Sequence, residues 1–191
     1  MGRAGRAAMI KVTWEWLGQG AALDLADTVT IEGGEERDLI ASAGDYERWA
    51  HVEAGFLPSS LRASLARSRS QIMELRTVVR EVVAAVADGE RPSRSAISHL
   101  NRVSRSSPEW VELDPGSLEV RTSTSGRAVD RLLAWYARSA IELVATERGR
   151  LRRCPAPSCG MFYLRSRPAQ RWCSTQCGSR ARVARHYARG Q

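Results

Sequence analysis

The fold class predicted for this 191-residue sequence is α+β: mainly α with a small β element, a helical N-terminal domain followed by a compact cysteine-bearing module. Three observations predict it. Two long runs, residues 70–88 and 127–148, carry apolar residues at helical spacing. One run, "WVELDPGSLEVRTS", sets Pro and Gly between two β-prone arms, as a hairpin does. All four cysteines, Cys154, Cys159, Cys173 and Cys177, fall after residue 153. A hydrophobic fraction of 43% is ordinary for a globular chain, so a core can form without cross-links.

Along the chain, "MIKVTWEW" (9–16) alternates loosely and suits a strand. "GQGAALDLADTV" follows as glycine punctuation and a short apolar helix, and "EGGEERD" reads as a polar turn. "DYERWAHVEAGFLP" is a helix from about Asp45 to Gly55. In the 70–88 helix Ile72, Leu75, Val79, Val82, Val83 and Val86 share a face, and Gly89 stops it. "RPSRSAISHLNRVSRSSP" holds a shorter helix with Ile97, Leu100 and Val103 inward. In the 127–148 helix Val129, Leu132, Leu133, Tyr136, Ala140, Leu143 and Val144 trace one stripe, which needs the 70–88 stripe as its partner.

No apolar run approaches the roughly 18 residues of a membrane span, so no membrane partner is expected. The start, "MGRAGRAAMIKVTW", lacks the apolar centre of a secretory signal, and Arg6 stands where myristoylation wants Ser or Thr. The expectation is a cytoplasmic protein with reduced thiols.

The cysteine spacing is C-x4-C, thirteen residues, then C-x3-C. Two close pairs joined by a short loop converge on one tetrahedral ion, and thiolates favour one structural Zn2+. Disulfides fit the even count but not a reducing compartment; a redox dithiol and an Fe–S cluster use the same residues and rank below zinc. "CPAPSCG" suits a knuckle, "MFYLRSRPAQRW" a hairpin around "SRPA", and Ser174 an N-cap for a helix carrying Cys177. Together they make a treble-clef-like finger. The tail alone should depend on the ion, so Cys173→Ser should unfold it and leave the body helical.

Charge is divided along the chain. From Arg148 onward there are eleven arginines and no Asp or Glu; against the formal total of +8, residues 1–147 therefore carry −3. Such a tail favours a polyanion. Arg165, Arg167 and Arg171 fall on the expected hairpin, and Ser179, Arg180, Arg182, Arg185, His186 and Arg189 on the final helix. Arg binds phosphate bidentately and reads guanine, so these nine residues are the candidate contacts to double-stranded DNA, with Arg180 the candidate base contact. The plainer reading is a solvated basic face.

The tail resembles the CGNR zinc finger: the motif run is "CGSR" here, Cys177 to Arg180, and "LRRCPAPSCG", "RWCS" and "ARVARHYAR" carry the rest. The body resembles the ABATE-type domain found before that finger in bacterial stress-response transcription regulators, through "ALDLADTV", "LRTVVREVVAAVADG" and "AVDRLLAWYARSAIELV". Ser179 stands for the motif Asn, Asp27 stands where the family often has Asn, and the last ligand pair is one residue tighter. The resemblance implies an ABATE-like regulatory or sensor domain over 1–149, a CGNR-type finger over 150–191, and DNA-binding regulation. A zinc-held protein-interaction module or an RNA-binding accessory protein is the alternative.

No phosphate loop and no nucleophile–His–acid set is recognisable, so no enzyme is expected. Asp24 and Asp27, i and i+3, superficially suit acid–base work; helix capping and surface charge are the plainer reading. Five tryptophans in the body are mostly core, with room for an aromatic-lined pocket for a small-molecule effector; a homodimer is the other role open to the body.

Overall fold

The structure, a computed structural model, describes Trp14 and residues 16–189. The strand expected at 9–16 lies outside the described residues but for Trp14 and Trp16, which belong to no strand. The first helix, α1 (Ala21–Ala26), follows Gly20. β1 (Val29–Glu32) and β2 (Glu35–Asp38) pair antiparallel across Gly33-Gly34, both at positive φ. The stretch expected as a polar turn is thus a hairpin, and its signal was the Gly-Gly pair, which suits a two-residue turn of left-handed residues.

α2 (Ala43–Glu53) starts where Ser42 Oγ accepts from Asp45 N–H at 3.1 Å. After a 3-10 turn, Pro58 leads into α3 (Ser59–Leu65), which the sequence reading missed. α4 (Arg69–Ala87) and α5 (Arg94–Arg105) follow, then the antiparallel pair β3 (Glu109–Leu113) and β4 (Val120–Thr124). α6 (Ala128–Thr146) closes the body; β5 (Leu151–Arg153), β6 (Phe162–Leu164) and α7 (Thr175–Arg189) form the tail. The fold class is the expected one, mainly helical with small antiparallel sheets. Among the described residues no helix is long and apolar enough to cross a membrane.

α4 and α6 pack together as their stripes require. Val79, Val82 and Val83 on one and Leu132, Tyr136 and Ala140 on the other are buried, with α1 lying against both helices. On α5, Leu100 turns inward but Ile97 is exposed; Ala96 takes the inward place instead.

The tail enters this core. Leu151 and Phe162 are fully buried among the body's apolar side chains. The expected hairpin around "SRPA" does not form: β6 pairs with β5, Leu151 opposite Leu164 and Arg153 opposite Phe162. The reason is burial, since pairing with "LRR" carries Phe162 into the body, while residues 165–171 stay at the surface or only half-buried.

Candidate metal centre and nucleic-acid interface

Cys154 and Cys159 lie in the loop joining β5 to β6. Cys173 precedes α7 and Cys177 lies in its first turn, where Ser174 Oγ accepts from Cys177 N–H at 3.2 Å. The knuckle turns through Ser158 and Gly160, both at positive φ. At Gly160 a Cβ would overlap Ile31 Cγ1, so the close approach of the knuckle to β1 requires glycine.

The four sulfurs lie within 4.8 Å of one another. Cys159 and Cys173 are 3.7 Å apart, Cys159 and Cys177 3.6 Å, Cys173 and Cys177 3.4 Å. A tetrahedron with Zn–S of about 2.3 Å has edges of about 3.8 Å. The thiols are free, and the donor set and its spacing fit one four-coordinate ion.

Around the ligands, Arg180 donates from one terminal nitrogen to Cys177 Sγ at 3.0 Å and from the other to the Ser158 carbonyl at 2.8 Å. Its charge offsets thiolate and ties α7 to the knuckle. The body grips the centre from three sides. Ile31 N–H donates to the Cys159 carbonyl at 2.9 Å, joined there by the Thr30 hydroxyl. Phe162 N–H donates to Asp27 Oδ1 at 2.8 Å. Arg153 forks onto Asp88 at 2.7 and 3.1 Å, and Arg80 and Arg153 both lie over the Phe162 ring.

Residues 150–190 match the family model for the CGNR zinc finger, and residues 19–147 match ABATE, described as "Putative stress-induced transcription regulator". The chain belongs to the ABATE family. No curated protein compared with it matches. This ABATE protein thus carries, after the ABATE domain, a zinc finger that takes one structural Zn2+ through its cysteines, and neither matching family is a family of enzymes.

The basic residues divide into two groups. Those nearest the body are engaged: Arg150 pairs with Glu147, Arg153 with Asp88, and Arg152 donates to backbone carbonyls. Farther out, Arg167, Arg171, Ser179 and Arg182 line one open cleft of about 560 Å3 between the 166–174 loop and α7. Arg182 donates to Ser179 Oγ at 3.0 Å. Among the described residues no carboxylate pairs with Arg167, Arg171, Arg182 or Arg185. Arg165 is half-buried at the end of β6, its carbonyl accepting from Arg150 Nε. His186 is exposed and stacks edge-on with Tyr187. Arg189 is the last residue of α7; its side chain lies outside the described residues. The small-residue face of α7 is shorter than its spacing suggested: Ala181 is buried, whereas Ala184 and Ala188 are exposed. Val183 and Tyr187, 55% and 71% exposed, add an apolar pair to the outer face that charge counting overlooks.

Asp24 and Asp27 are not surface charges. Asp24 accepts from Gly18 and Gln19 N–H at 2.9 and 3.1 Å, and burial pushes its pKa up to about 6. Asp27 is wholly buried, and desolvation pushes its carboxyl well above the usual range against the pull of Phe162 N–H and Arg80. Both hold backbone rather than face substrate.

Proposed function

We propose that this protein is a one-component transcription regulator in which residues 150–191 contact duplex DNA and residues 1–149 sense an effector or dimerise. The observation that carries this reading is the cleft where Arg167, Arg171 and Arg182 converge on a metal-held helix, with no carboxylate partner among the described residues. Guanidinium groups held on rigid backbone bind phosphate at little entropic cost and release counterions as they do so. In this reading Arg167, Arg171 and Arg182, with Arg165 and Arg189 outside the cleft, hold phosphates, while Arg185, His186 and the exposed face of α7 approach the bases. Arg180 holds the Cys177 thiolate, and so acts on DNA by orienting α7. Ser179, in the place of the motif Asn, steers Arg182. The working location is the cytoplasm, at the nucleoid when DNA-bound, and the chain has no catalysis of its own.

Binding of the full-length zinc-loaded protein to a labelled promoter duplex, competed with random duplex, single-stranded RNA and an acidic protein, tests it. Preference for the promoter duplex supports the reading. Equal competition by RNA favours an accessory RNA-binding role, and competition by the acidic protein alone favours an interaction module.

A further inference from the structure

A cavity of about 720 Å3 lies away from the finger, between α1, the end of α2, β3 and α6. That is the size of a small-ligand site. Phe56, Trp110 and Trp135 supply aromatic surface, and Trp110 is 44% exposed at the rim. Four carboxyl groups line it, Asp24, Glu53, Glu109 and Glu142, against a single guanidinium, Arg138. Arg138 is already committed: it donates to the Ser104 and Ser107 carbonyls and pairs with Glu109 at 3.1 Å. Asp24 has given its oxygens to the Gly18 and Gln19 amides, so it supplies negative potential rather than a free contact.

Glu53 is different. It is fully buried, Oε1 accepts from the Tyr136 hydroxyl at 2.9 Å, and Oε2 has no partner among the described residues. A buried carboxyl with half its bonding capacity unused is costly, and the body's packing gives no compensation on that side. A ligand bringing an N–H donor and positive charge would satisfy it. Aromatic faces beside a carboxyl attract the same class, through the negative face of each ring.

We propose that this cavity binds a small organic cation, an ammonium or amidinium joined to a flat apolar group, with the Glu53 carboxyl as counter-group and Phe56, Trp110 and Trp135 as walls. The excess of acid excludes anions, and the apolar walls disfavour a bare metal ion. Burial, and then Asp24, push the Glu53 pKa up to about 8, so cation binding there displaces a proton. The proposal gives a ligand class to the sensing role suggested above, and it is tested without DNA, so its failure is separate from failure of the DNA-binding reading.

The test is calorimetric titration of the full-length zinc-loaded protein with benzylammonium and benzamidinium, against the neutral benzyl alcohol and benzamide and the anion benzoate. One cation should bind saturably and at least about tenfold tighter than its neutral counterpart, as expected of a charge-assisted hydrogen bond in a buried site. Glu53→Gln should weaken it by about tenfold or more. Trp110→Ala, at an exposed position that folding tolerates, should weaken it about threefold. Should Glu53→Gln fail to fold, Trp110→Ala and the cation-to-neutral ratio decide. Neutral and cationic probes binding equally, no saturable binding by either cation, or folded variants with unchanged affinity would each overturn the proposal.

Discussion

Phe162 N–H lies buried at the meeting of finger and body, and Asp27 is the acceptor it finds there. Asp27→Ala leaves that donor unpaired, and should cost about 1–3 kcal/mol in denaturant unfolding. Asp27→Asn keeps an acceptor oxygen and sheds the cost of a buried charge, so it should be near neutral; equal losses for both variants would show that the hydrogen bond is not the cause. Glu53 gives a pH prediction. Its carboxyl, ordinarily near 4.5, is raised to about 8 by burial first and then by Asp24. A raised carboxyl binds its proton more tightly in the folded state. Its contribution to stability is therefore full below the unfolded value near 4.5 and is lost as pH rises through about 8. Each unit is worth about 1.4 kcal/mol, so a few kcal/mol disappear across that window. Glu53→Gln should melt at a temperature much less sensitive to pH between 5 and 9, and above the wild type at the alkaline end. Parallel melting curves for the two proteins would contradict this.

Among the elements, the knuckle carries the tightest constraint. Gly160 adopts φ +70° and leaves no room for a Cβ beside Ile31. Gly160→Ala combines a left-handed alanine, costing about 1–3 kcal/mol, with a clash that pushes the knuckle off β1. The variant should bind zinc more weakly and melt earlier; a spectroscopic metal competition assay reads the first effect and calorimetry the second. The β5–β6 hairpin changes the expectation for metal loss. Phe162 is fully buried in the body's core, a burial worth about 1.5–3 kcal/mol. Cys173→Ser, or chelation, should therefore lower the melting temperature of the body helices as well as unfolding the tail. Helical signal with an unchanged midpoint after metal removal would mean that the hairpin holds without the ion.

At the scale of the whole molecule, a mildly acidic body carries a tail in which Arg167, Arg171, Arg182 and Arg185 pair with no carboxylate among the described residues, while Arg150 and Arg153 are tied to the body. Log affinity for duplex DNA should fall linearly with log salt. Arg167→Ala, Arg171→Ala or Arg182→Ala should each flatten that slope by about one unit. Arg153→Ala, which breaks the pair with Asp88, should leave the slope unchanged. Flattening by Arg153→Ala to the same extent would show that distance from the body does not sort the arginines.

Periodicity and spacing alone determined a good deal here. The α4 and α6 stripes announce two long helices that must face each other, because each is too apolar to leave in water. The C-x4-C and C-x3-C pairs announce one thiolate site, since ligand chemistry depends on residue type and short spacing. The Gly-Gly hairpin was legible as well, though it passed for a polar turn. Other features were settled by contacts between residues distant in sequence, which local pattern does not encode. β6 chose β5 over the nearer "RPAQRW" because only that pairing buries Phe162 in the body. Arg180, the expected base contact, donates to a cysteine sulfur, while Arg182 opens into the basic cleft. Asp24 and Asp27 suit helix capping and surface charge in the sequence, and nothing there marks Glu53; the packing of the helices buries all three. The price of a buried carboxyl depends on the partners it meets there, and those are brought together by the tertiary fold.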